Sequence, residues 1–181
     1  PGTGVNAVIP TSPTGGNFPE LDLNAVANNL ILQPGAVINI APGGSMTVEG
    51  DLTNNGIFNI ANDASLVQET GSGLSGAGYI NVTRIGSAVY DYWSSPVVGG
   101  SVGGYWGFNS ANSTIDPSDD ANDPGWFQTS GALPLGGGGA VYGGGTRVFS
   151  GVANNGDISI AITNNPAPAD DWNLVGNPYP S

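Results

Sequence analysis

The feature that most constrains this chain is a repeat of about twenty residues in its first half. Ile38-Asn39-Ile40, Phe58-Asn59-Ile60 and Ile80-Asn81-Val82 carry one apolar-Asn-apolar triplet at nearly equal offsets. Between them, Ser45-Met46-Thr47-Val48 returns one period later as Ser65-Leu66-Val67-Gln68, and Gly50-Asp51-Leu52 has a looser echo in Gly73-Leu74-Ser75. Short strands separated by Gly or Asn turns at this period make one coil of a parallel β-helix.

Strand alternation places Ile38 and Ile40, Phe58 and Ile60, and Ile80 and Val82 inside, with successive coils about 4.8 Å apart. Asn39, Asn59 and Asn81 then line up outside, where they form either a hydrogen-bonded ladder along the axis or three separately solvated amides. Gln68 falls where Val48 points inward, so the last coil is expected to be distorted or capped there. Asn54-Asn55-Gly56 has the chemistry of a turn that needs positive φ, and Asn154-Asn155-Gly156 repeats it. No helix is expected: the best stretch, Leu21 to Leu32, contains Asn24, Asn28 and Asn29 and ends at Pro34. The coils are assigned to residues 23–85, roughly three turns, after an extended arm over residues 1–22.

Beyond Arg84 the period is lost and aromatic residues concentrate. Short stretches at Ser87 to Tyr92, Ala140 to Tyr142, Thr146 to Phe149 and Asp157 to Ile162 alternate with turn signals. They predict a β-sandwich-like module over residues 86–181 in which two sheets bury most of the rings. The fold class is thus all-β, a short parallel β-helix (β-solenoid) followed by a β-sandwich-like module.

Tyr90-Asp91-Tyr92-Trp93-Ser94-Ser95-Pro96-Val97 and Trp172-Asn173-Leu174-Val175-Gly176-Asn177-Pro178-Tyr179-Pro180-Ser181 resemble two signatures of very large secreted surface proteins of Bacteroidetes. Val8-Ile9-Pro10 through Phe18-Pro19, Asn29-Leu30-Ile31-Leu32 and Gly50-Asp51-Leu52-Thr53-Asn54-Asn55-Gly56 also resemble the coil region of those proteins. The resemblance implies an extracellular location, secreted or on the bacterial surface, and export by type IX secretion. It implies no catalytic residues. Similar chains continue past the final Asn-Pro-Tyr-Pro-Ser, which suggests a module or a processed product, and a start at Pro1 fits the same reading.

Charge narrows the partners. Fourteen acidic residues face two basic ones, Arg84 and Arg147, with no Lys, His or Cys, for a net charge of −12. Nucleic acid needs clustered cations and is excluded as a partner, and the same lack of cations argues against docking on anionic lipid. No apolar run is long enough to insert in a membrane. Thiol, imidazole and amine nucleophiles or bases are missing, so the chain is read as not an enzyme. Paired carboxylates acting on a glycosidic bond are the least favoured alternative.

Three groups of residues are candidate sites. Asp116, Asp119, Asp120, Asn122 and Asp123 concentrate oxygen ligands of the kind calcium takes, but their spacing matches neither an EF-hand nor a nonapeptide loop, and a solvated acidic turn is the favoured reading. Asn81-Val82-Thr83 and Asn112-Ser113-Thr114 are sequons, which makes Asn81 and Asn112 candidate glycan acceptors. A glycan on Asn81 and a tight amide ladder exclude each other. Tyr105-Trp106-Gly107-Phe108 and Trp126-Phe127 could stack on sugar rings, although core packing is the favoured reading. A β-helix also exposes strand edges at its ends. The leading expectation is therefore a non-catalytic subunit of a surface fibre or adhesin stalk that associates with itself or other surface proteins. The alternative is an adhesion module that binds glycans or calcium.

Overall fold

The computed structural model describes residues 3–69, 71–87, 89–113, 123–164 and 172–181. The first coil comprises β1 (Ala7–Ile9), β2 (Glu20–Leu21) and β3 (Asn24–Ala27). The second comprises β4 (Leu30–Leu32), β5 (Val37–Ile40) and β6 (Ser45–Val48), and the third β7 (Leu52–Asn54), β8 (Ile57–Ile60) and β9 (Ser65–Gln68). A fourth follows with β10 (Leu74–Ser75) and β11 (Tyr79–Gly86). Like strands stack in parallel to give the three faces β1-β4-β7-β10, β2-β5-β8-β11 and β3-β6-β9. The result is a β-solenoid of about four turns over residues 7–82.

The triplets stack in the register their sequence predicts: Ile38 on Phe58 on Ile80, and Ile40 on Ile60 on Val82. All six are buried, as are Leu30, Leu32, Met46, Val48, Leu52 and Leu66 from the other two faces. The looser echo is shifted by one residue, because Leu52 stacks on Leu74 and Thr53 on Ser75. Corners tolerate little bulk. A Cβ on Gly56 would lie 2.3 Å from the Ala36 carbonyl oxygen, and one on Gly78 2.3 Å from that of Gly56.

The expected N-terminal arm is instead the first coil. Ala7, Val8 and Ile9 pair with Leu30, Ile31 and Leu32, and Glu20 and Leu21 with Asn39 and Ile40. Ala7, Ile9, Phe18 and Leu21 pack against the common core. The sequence hides this coil because the Pro-rich stretch between β1 and β2 lengthens it and removes the apolar-Asn-apolar triplet.

The second half holds β12 (Tyr90–Trp93), β13 (Ser101–Phe108), β14 (Trp126–Ala132), β15 (Gly139–Tyr142) and β16 (Gly145–Gly151). Four of them form an antiparallel sheet in the order β12-β15-β13-β14. The fifth, β16, leaves that sheet and pairs antiparallel with β11, from Ile80 opposite Gly151 to Gly86 opposite Gly145. The sandwich-like packing therefore sets one four-stranded sheet against an edge strand of the solenoid. Trp93 of β12 lies 6.2 Å from Phe149 of β16, ring centroid to centroid. One continuous apolar cluster runs from Ala27 to Ala153 through both halves.

Two expectations for this half fail. Residues 157–162 form no strand, and Ile160 and Ile162 are exposed. Packing also buries fewer rings than expected: Trp93, Tyr105 and Phe149 are interior, whereas Tyr90, Tyr92, Phe127, Tyr142 and Trp172 are exposed. For Tyr90, Tyr92 and Tyr142 the reason is that the four-stranded sheet is covered on one face, so alternate side chains stay in solvent. Phe127 lies over Gly107 on the other face, at the end of an edge strand, and Trp172 belongs to no strand.

Candidate assembly surface

The two ends of the solenoid differ. At the C-terminal end β16 completes one face, and Phe149, opposite Val82 and only 1% exposed, plugs the core. On a second face the Leu66 N–H donates to the Pro180 oxygen at 2.8 Å, so the chain's last residues run beside β9. On the third, the Asn155 side chain donates to the Ser72 carbonyl at 2.9 Å, just before β10.

Nothing among the described residues pairs with the outer edge of β1, β2 or β3. The Ala7 N–H donates to Asn29 and the Ile9 carbonyl accepts from Gln33, so both point into the coil stack. Peptide groups alternate along a strand, which turns the N–H and C=O of Val8 outward. The same alternation holds for Val26, because the flanking Ala27 carbonyl accepts from Glu49. The apolar residues beneath this end, Ala7, Ile9, Phe18, Leu21 and Ala25, are only partly buried. Leu23 and Val8 are exposed beside them.

Asn39, Asn59 and Asn81 are brought together on the outer side of the β2-β5-β8-β11 face. Asn59 Nδ2 donates to Asn39 Oδ1 at 2.9 Å, and Asn81 Nδ2 donates to Asn59 Oδ1 at 2.9 Å. The Ser150 hydroxyl of β16 continues the line, donating to Asn81 Oδ1 at 2.6 Å. All donors point toward the N-terminal end, where Glu20 stands in register beside Asn39. The Asn81 amide nitrogen, the atom a glycan would occupy, is engaged here; Asn112 is exposed in a short 3-10 turn.

A second ladder, which the triplet repeat does not announce, runs along one corner. There Asn6 Oδ1 accepts the Asn29 N–H, Asn29 Oδ1 the Asp51 N–H, and Asp51 Oδ1 the Gly73 N–H, at 2.8–3.1 Å. Each side chain thus satisfies a backbone donor one coil on, where the turn leaves the ladder. Its only trace in the sequence is an Asn or Asp recurring once per coil, as Asn6, Asn29 and Asp51.

Of the proposed calcium ligands, Asp116, Asp119, Asp120 and Asn122 lie outside the described residues. Asp123 closes its own loop, accepting from the Ser113 hydroxyl and the Gly125 N–H, each at 2.6 Å. Among the described residues no group of three or more carboxylates is assembled for a metal ion.

The two arginines, distant in sequence, are directly opposite each other in the β11–β16 pair. They reach different partners. Arg84 donates to the Ala61 and Thr83 carbonyls, and Arg147 donates to the Val102 carbonyl with its guanidinium 5.7 Å from the Trp93 ring centroid. Burial pushes the Arg84 pKa down, and the Asp63 carboxylate partly opposes that shift.

Gln68 stacks on Val48, and its amide oxygen and nitrogen are buried with no partner among the described residues where the chain's last residues pass β9. Asn154, expected in a turn, is a buried clamp: its amide donates to Ser95 at 2.9 Å and Pro178 at 2.8 Å. It thereby joins the two aromatic signatures, which line a cavity of about 260 Å³ together with Arg84.

The profile of a family described as a domain of unknown function (DUF8693) matches residues 1–181. No curated protein and no solved structure matches the chain.

Proposed function

We propose, for a chain that belongs to the DUF8693 domain family along its whole length, a role as a non-catalytic extracellular structural module. It would serve as a subunit of a bacterial surface fibre or adhesin stalk that joins its neighbour through strand edges. The observation that carries this reading is the asymmetry of the solenoid: one end is covered by β16 and the chain's last residues, the other presents the edges of β1, β2 and β3. Unpaired edges above a partly exposed core are templates for strand addition. With that end covered, strand addition is directed to the first coil, where an extended segment of a neighbouring subunit would add as the next strand.

Chemistry is consistent with this role. The two cations are engaged with backbone carbonyls, and a surplus of carboxylates favours solubility outside the cell. The extracellular setting and the type IX route rest on the resemblance of the two aromatic signatures.

The test is sedimentation velocity over a concentration series with electron microscopy of the same samples. Wild type should self-associate end to end. Val8→Pro with Val26→Pro removes two outward N–H groups and no bond within the stack, so this variant should stay monomeric with unchanged circular dichroism. A wild type that remains monomeric at every concentration would refute the proposal.

A further inference from the structure

The outer face of the four-stranded sheet carries a cluster of rings that the structural role does not use. Tyr90 stands opposite Tyr142, Tyr92 opposite Ala140, Trp106 opposite both Ala140 and Gln128, and Phe108 opposite Trp126. Directly opposed residues share a face, so these side chains all project to one side. The rings are in contact: Tyr90 and Tyr142 are 5.2 Å apart edge to face, Phe108 and Trp126 5.0 Å, and Tyr92 and Trp126 6.3 Å. Yet Tyr90, Tyr92 and Tyr142 are 52, 65 and 68% exposed.

Beside them lies a hollow of about 350 Å³ lined by Gly104, Trp106, Gln128, Ala140 and Tyr142. A Cβ on Gly104 would meet nothing nearer than the Thr129 oxygen at 3.8 Å, so the space above its backbone is open.

We propose that this face binds neutral polysaccharide, with pyranose rings stacked on Tyr92, Trp106 and Tyr142 and held in the hollow by the Gln128 amide and the tyrosine hydroxyls. The occupant follows from the chemistry of the face. Aromatic walls suit the apolar C–H side of a sugar ring, and a few exposed polar groups suit its hydroxyls.

Charge excludes the competitors. Neither carboxylate nor cation lies on this face of the four strands, although the chain as a whole carries −12. A nucleic acid would stack its bases but find no cation for its phosphates. An acidic glycan would be repelled by the chain, and a cationic partner would find no carboxylate here.

The test is affinity gel electrophoresis of the full chain in gels containing hydroxyethylcellulose, galactomannan or polygalacturonate, with sedimentation velocity in parallel. At least one neutral glycan should retard the wild type and polygalacturonate should not. Tyr92→Ala and Tyr142→Ala, at exposed positions that leave the core intact, should each weaken retardation by roughly tenfold, the scale of one lost aromatic stacking contact. Gly104→Val, which fills the hollow and keeps every ring, should weaken it as well. No retardation by either neutral glycan, equal retardation by polygalacturonate, or retardation unchanged in all three variants overturns the proposal. So does a dimer dissociated by Tyr92→Ala, which would make the face a contact between copies. The Val8 and Val26 variant should bind like wild type, so failure here is distinguishable from failure of the assembly proposal.

Discussion

The asparagine ladder makes a quantitative prediction, because the three side chains take part in different numbers of hydrogen bonds. Asn39 accepts one, Asn59 donates one and accepts one, and Asn81 donates one and accepts one from Ser150. A net contribution of about 1 kcal/mol per bond is appropriate for amides that water can reach again once a partner is removed. Asn39→Ala should then cost about 1 kcal/mol, and Asn59→Ala and Asn81→Ala about 2 kcal/mol each. The double variant Asn39→Ala with Asn59→Ala should cost no more than Asn59→Ala alone. The bond they share is lost only once, giving a coupling of about 1 kcal/mol. Urea denaturation monitored by far-ultraviolet circular dichroism measures these values, with an unchanged m value as the condition for comparing them. If Asn59→Ala costs no more than Asn39→Ala, or the two effects simply add, the ladder is a geometric consequence of stacking and not an energetic unit.

Other positions give sharper or blunter effects. Phe149→Ala removes the plug over the last coil and should cost about 3–5 kcal/mol by the same assay, against less than about 0.5 kcal/mol for the exposed Tyr142→Ala. Gly56→Ala places a Cβ against the Ala36 carbonyl oxygen, and its melting temperature should fall by the equivalent of about 1–3 kcal/mol. Asn54 is buried, accepts the Gly56 N–H at 3.0 Å and donates to the Tyr79 carbonyl at 3.4 Å. Asn54→Ala strands that N–H and should cost about 1–3 kcal/mol, detectable also as faster hydrogen exchange at the Gly56 amide.

The part of this fold that repeats was legible in the sequence. Ile38-Asn39-Ile40 and its two copies specify which residues face inward, which stack and at what spacing, because a period-two strand in a coil of nearly constant length leaves one register that keeps the apolar side chains dry. The residues that end the stack carry no such signal. Phe149 lies far along the chain from its partner Val82, and nothing local in Thr146 to Phe149 distinguishes a strand of the second sheet from a lid on the first. The same holds for Arg84 and Arg147, which antiparallel pairing sets side by side, and for the first coil, whose Pro-rich insertion breaks the period.

Which rings are core and which are surface is likewise a tertiary decision. Tyr90, Tyr92 and Trp93 are neighbours with similar propensities, yet only Trp93 is covered, because only one face of that sheet meets β16. Local alternation determines that neighbouring side chains part to opposite faces; the partner that arrives from elsewhere in the chain determines which face stays wet.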